Sequence, residues 1–210
     1  MSGILDLLNS DLGKSIVSGV ADQANQPQSK AHEVLTMGLP VLMTAMQRNA
    51  ASPEGAQGLL DALNNGHDGS ILNNLSGLFG GGVDDSVMTD GSNILGHVLG
   101  NKQSNVENAI SAKSGIDDGT VAQILKVAAP ILMGMLGNQA RQQNVNSPGG
   151  LGGLLGGLLE DNSPKSERSF LESILDADGD GSVIDDVAGM VMGDNKKKGG
   201  LGGVIGGLFS

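Results

Sequence analysis

Ala31 to Met46 reads AHEVLTMGLPVLMTAM, and Val121 to Leu136 reads VAQILKVAAPILMGML. In the first stretch the apolar or small residues Ala31, Val34, Leu35, Gly38, Val41, Leu42, Ala45 and Met46 recur at spacings of three and four. In the second, Val121, Ile124, Leu125, Ala128, Ile131, Leu132, Met135 and Leu136 repeat that pattern 90 positions later without a gap. Such spacing places all eight on one face of a helix. The opposite face is scarcely more polar, since Met37, Leu39 and Met43 answer to Val127, Ala129 and Met133. A helix that is apolar nearly all round belongs inside a fold. Each copy carries a proline, Pro40 or Pro130, at the same place. Proline removes one backbone donor and crowds the carbonyl four residues earlier, so a kink or a break is expected there.

The duplication spreads outward from these two stretches. Ile4, Leu5, Leu8, Ile16 and Val20 match Ile94, Leu95, Val98, Val106 and Ile110 at the same offset of 90. Downstream the offset becomes 95, where SPEGAQGLLDALNN from Ser52 aligns with SPGGLGGLLGGLLE from Ser147. The five extra residues fall in NQARQQNVN, a polar stretch where a loop can absorb them. Ser52 and Ser147 are natural N-caps, each followed by a proline at the first helical position. Asp117-Asp118 and Gly119-Thr120 make a start for the second central helix. Between the halves, GLFGGGVDDSVMTDGSN is glycine-rich and turn-like, with GSILNNLSGLF before it as a short apolar helix. No segment alternates with the period of a strand. The expected fold is all-α: a duplicated multi-helix bundle with two proline-kinked central helices, then a short helix–loop–helix and a glycine-rich tail. The divisions are 1–80 for repeat 1, 81–90 for a linker, 91–160 for repeat 2, 161–194 for the acidic helix–loop–helix and 195–210 for the tail.

Composition excludes several functions. Among 210 residues there is no Cys, Trp or Tyr, and the three phenylalanines are Phe79, Phe170 and Phe209. The core must therefore be aliphatic, with no aromatic shelf for nucleobases or sugars. No disulfide or thiolate site can form, and a reducing compartment is compatible. The net charge is −11. Residues 160–194 alone carry ten acids against two bases, a concentration that points to a cation site. Nucleic-acid binding needs a basic face, and none is visible. The start, MSGILDLLNSDLGKS, carries Asp6 and Asp11 and no basic lead, unlike a secretory signal. No apolar run is seen to approach the roughly 20 residues that span a bilayer. The expected location is the cytoplasm.

The one segment with a specific chemical signature is Asp176-Ala177-Asp178-Gly179-Asp180-Gly181-Ser182-Val183. A helix–loop–helix calcium hand takes side-chain oxygens at loop positions 1, 3 and 5, a backbone carbonyl at 7, and glycine at 6 for the turn. Here these are Asp176, Asp178, Asp180, Ser182 and Gly181, with apolar Val183 at position 8. Ser166 to Leu175, with Phe170, Leu171, Ile174 and Leu175 on one side, supplies the entering helix. The usual bidentate Glu at position 12 is replaced by Val187, so Asp185 or Asp186 must close the cage. An aspartate there binds through one oxygen, which predicts weak calcium affinity. Magnesium, which prefers tight octahedral sites and keeps its waters, suits the loop less. The competing reading is a solvated acidic linker without metal.

The tail GGLGGVIGGLFS repeats GGLGGLLGGLLE of 149–160 with eight of twelve positions identical. Glycine at every fourth residue permits close helix contact, yet each glycine costs a helix about 1 kcal/mol against alanine. The tail reads as a flexible linker, as a self-association or groove-docking segment, or as a membrane-surface anchor with Lys196, Lys197 and Lys198. His32, His67 and His97 lie apart in sequence and read as satisfied, buried or half-buried side chains. Asp84-Asp85 and Asp117-Asp118 read as helix caps, and the methionines as core. No Walker loop, zinc-protease helix, nucleophile elbow or dinucleotide fingerprint occurs.

Ile94-Leu95-Gly96-His97-Val98-Leu99-Gly100, the Ala129-Pro130-Ile131-Leu132-Met133-Gly134 helix, the GGLGGLLGGLL segment and the Leu175–Ser182 loop together resemble the bacterial YidB-like family, also described as domain of unknown function 937. The resemblance covers most of the chain. It implies a bacterial, all-helical protein and brings no activity with it. The expected function is a non-enzymatic calcium-binding scaffold or interaction protein, with a homo-oligomer or a protein partner. The alternative is a self-associating or membrane-peripheral protein that works through its glycine-rich segments without metal.

Overall fold

The computed structural model describes residues 4–159. Within them the chain forms α1 (Ile4–Asn9), α2 (Asp11–Gln23), α3 (Gln28–Asn49), α4 (Pro53–Asn65), α5 (Leu75–Gly80), α6 (Asp85–Leu99), α7 (Gln103–Ser114), α8 (Asp118–Gln142) and α9 (Pro148–Leu159), with 3-10 turns at Ser70–Asn74 and Gly100–Lys102. No strand occurs among the described residues. The fold is all-α.

The starts and stops follow from local chemistry. Ser52 and Ser147 accept hydrogen bonds from the Gly55 and Gly150 amides, at 3.0 and 3.3 Å, with Pro53 and Pro148 at the first helical positions. Asp117 caps α8 through the Thr120 amide at 2.9 Å and the Thr120 hydroxyl at 2.7 Å. Those hydrogen bonds hold its carboxyl below the usual range. Asp84 occupies the N-cap of α6 but makes no side-chain capping bond, while Asp85 in the first turn complements the helix dipole. α2 and α7 end at residues with left-handed backbone just beyond them, Asn25 and Gly115, again 90 positions apart.

The helices recur at the offset seen in the sequence. α2, α3 and α4 answer to α7, α8 and α9, and the end of α6 answers to α1. The five extra residues divide: three lengthen α8 beyond the end of α3, and two lengthen the loop that follows. The polar side chains of NQARQQNVN sit comfortably on an exposed last turn, so the loop takes only part of the insertion. The 81–90 stretch is a correction. It is helical from Asp85, and only Gly81 to Asp84 remain as a connector.

Both repeats close on one hydrophobic cluster with α3 and α8 at its centre. Every apolar position named on α3 is buried, and on α8 all but Met135. Met37, Leu39, Met43, Val127, Ala129 and Met133, on the supposed outer faces, are buried too. Pro40 and Pro130 leave both helices bent but unbroken. The Lys126 carbonyl, which loses its usual donor to Pro130, is met instead by α6. A side chain at Gly91 would overlap that oxygen, so only glycine lets the two backbones come so close.

α8 also corrects the expectation about bilayer-length segments. With a mean hydropathy of 1.5 over its apolar window, it is long and apolar enough to cross a membrane. Two-thirds of that window (67%) is buried inside the molecule, as befits its central place.

The fourth helices exchange partners. α4 of the first repeat packs on α8, and α9 of the second packs on α3. Leu151, Leu154, Leu155 and Leu158 bury the inner face of α9. Side chains at Gly149, Gly152 or Gly153 would meet nothing within 4 Å, while one at Gly156 would touch the Gln47 amide nitrogen of α3 at 3.6 Å. The close contact that the spacing permits is not made within the described residues at Gly149 or Gly153, and leucines hold α9 in place.

Candidate functional site

Two grooves flank the bundle, and duplication relates them. The first, about 300 Å³, runs between α1, the end of α8 and α9. The second, about 680 Å³, runs between α6, the end of α3 and α4. Ile4, Leu7, Leu136, Asn138 and Gln139 line the first. Their counterparts 90 positions away, Ile94, His97, Met46, Arg48 and Asn49, line the second.

The two differ in what closes them. After α4 the chain turns through Gly66–Gly69 and lies along α8. The His67 carbonyl sits where a side chain at Gly137 would be, and Ile71 sits against Gly134. Asp68 anchors this turn: it accepts from the Ser70 amide at 2.9 Å and pairs with Arg141 at 3.2 Å. The hydrogen bonds from Ser70, then Arg141, pull its carboxyl down to about 2. Leu72 thereby reaches the first groove and forms part of its wall. The equivalents of Gly134 and Gly137 on α3 are Thr44 and Gln47, whose side chains forbid such an approach. No segment among the described residues straps the second groove in this way.

Polar groups gather along the second groove. Asn49 donates to the His97 and Val98 carbonyls, each at 3.2 Å, and so ties the end of α3 to the end of α6. His97 is exposed rather than buried, and its Nδ1 lies 2.9 Å from the Asn93 carbonyl one turn back. His67 Nδ1 lies 3.8 Å from Asp90 Oδ2, joining the turn after α4 to α6. Both histidines line this groove with Glu54 and Arg48. His32, in contrast, lies beside the Thr36 hydroxyl on α3, with 3.4 Å between Nδ1 and Oγ1. The sequence pattern found each histidine but not this meeting of His67 and His97, because the offset of 90 pairs His97 with Leu7 and gives no hint of His67.

The metal residues named from sequence, Asp176, Asp178, Asp180, Ser182, Asp185 and Asp186, lie outside the described residues, as do the entering helix and the tail. Among the described residues, no three His, Asp or Glu side chains come close enough to hold a metal ion.

An internally duplicated all-helical bundle, with one groove strapped by its own chain and one left wide among the described residues, is the class of protein this geometry defines. The model of the family described as "Bacterial protein of unknown function (DUF937)" matches residues 6–139, from α1 into the last turns of α8. The chain belongs to that family. No curated protein and no solved structure matches the chain.

Proposed function

We propose that this chain is a non-enzymatic helical scaffold of the YidB-like kind, which docks a protein segment in its second groove and binds calcium weakly through Asp176, Asp178, Asp180, Ser182 and one of Asp185 and Asp186. The observation that carries the docking half is the inequality of two duplicated grooves. One is narrow and walled by Leu72, and the other is more than twice as large and lined by Arg48, His67 and His97. The calcium half rests on the residue pattern of the loop alone. A cytoplasmic setting belongs to the same reading. Calorimetric titration of the intact chain with calcium and with magnesium, read beside its mass in solution, tests it. The expected result is heat with calcium, a Kd on the order of 10⁻⁵ to 10⁻³ M, and loss of that heat in Asp176→Ala. Absence of heat at millimolar calcium would remove the metal from the account.

A second reading is self-association or membrane attachment through glycine-rich segments without metal. The outward glycine face of α9, open at Gly149, Gly152 and Gly153, favours it. In the same experiment it predicts no calcium heat and a mass above that of one chain.

A further inference from the structure

We infer that the second groove is the seat of the chain's own segment 169–175, which straps it as the turn at Ser70–Asn74 straps the first. This inference rests on the docking role proposed above and names the occupant.

Three observations converge on that segment. The first is position. α9 leaves the bundle as the counterpart of α4, and the residues after α4 are those that close the first groove. Nine residues lie between Leu159 and Ser169, a connection that can extend over roughly 35 Å. The second is pattern. Ser70-Ile71-Leu72-Asn73-Asn74-Leu75 and Ser169-Phe170-Leu171-Glu172-Ser173-Ile174 share a leading serine and apolar residues at the second, third and sixth places.

The third is complementary change. Where the first groove has Leu7, the second has the polar His97, and Thr44 and Gln47 keep a backbone from lying flat on α3. An occupant must therefore stand off and reach in with a longer side chain, and Ile71 is replaced by the larger Phe170. In charge, Asn138 of the first groove becomes Arg48 in the second, while Asn73 of the strap becomes Glu172.

The tail at 199–210 is the rival occupant, but its likeness is to α9. The seat for that pattern on α3 and α4 is already filled by Leu151, Leu154 and Leu155.

The chain has no cysteine, so thiol crosslinking has no background. In the full-length protein, Leu171→Cys is paired in turn with Gly58→Cys and His97→Cys on the two walls of the groove. Ile205→Cys in the tail, with the same partners, is the control. Mild oxidation without calcium should give an intramolecular disulfide at monomer mass, about tenfold faster or more than the control. Adding Phe170→Asp should slow it by about tenfold. A rate no greater than the control at both walls, crosslinks only between copies, or no response to Phe170→Asp would each overturn the assignment. Calcium takes no part in this measurement, so failure of the metal reading registers in the titration and not here.

Discussion

At the scale of single residues, the fold depends on a few positions where backbones touch. Gly91 sets the approach of α6 to the Lys126 carbonyl. Gly91→Ala should therefore lower stability by about 1–3 kcal/mol or more, as overpacking does. Gly96 lies on the same helix with nothing within 4 Å of a side chain placed there. Gly96→Ala should leave stability unchanged or raise it by about 0.5–1 kcal/mol through better helix propensity. Chemical denaturation of the two variants checks the pair, and equal effects would contradict the close-contact account. Asp68 offers a pH test. Its folded carboxyl sits near 2, below its value of 3.8 when unperturbed. The depressed group stabilises the fold above the unfolded value, and that contribution fades as pH falls through the window from 3.8 toward about 2. The stability gap between wild type and Asp68→Asn should thus be full at pH 6, shrink across that window and be gone below it. Thermal denaturation across pH reads this directly. None of these three residues stands out in the sequence, because close approach and a loop-to-helix ion pair are properties of packing.

At the scale of elements, much was legible. Periodicity located α3 and α8, serine–proline pairs located the starts of α4 and α9, and Asp117 located the start of α8. Local rules sufficed where a helix announces its own cap or its own buried face. The first half of α6 escaped because Asp90-Gly91-Ser92-Asn93 reads as a turn, although the run packs on α8 as helix. The length of α8 was also underestimated, since Lys126 and the polar last turn interrupt the apolar run without interrupting the helix. The equivalence of the central helices has an energetic consequence. Leu42 and Leu132 occupy the same place in both repeats, and each is at most 1% exposed. Leu42→Ala and Leu132→Ala should each cost about 2–5 kcal/mol, with the spread set by how far the cavity relaxes. Urea midpoints measure this, and a cost below about 1 kcal/mol at either position would deny it a central place.

For the whole molecule, duplication is the organising fact. It produces a shared core, an exchange of fourth helices between repeats, and two grooves that began alike. The sequence displayed the offset but not the grooves, because their walls come from helices far apart in the chain. The acidic loop is a reading of the opposite kind, proposed ligands in order along one short segment, and it lies outside the described residues. It follows directly on the segment assigned to the second groove, so the two proposals, a calcium loop and a groove occupant, meet at Leu175-Asp176. The most direct measurement of this union is amide hydrogen exchange on the intact chain, without calcium and with about 5 mM calcium, in excess over a weak site. The account predicts slowest exchange in α3 and α8 under both conditions. Residues 169–175 should be protected under both conditions together with α4 and the end of α6, and calcium should deepen protection across 166–193. Free exchange of 169–175 under both conditions, or no gain across 166–193 with calcium, would contradict it.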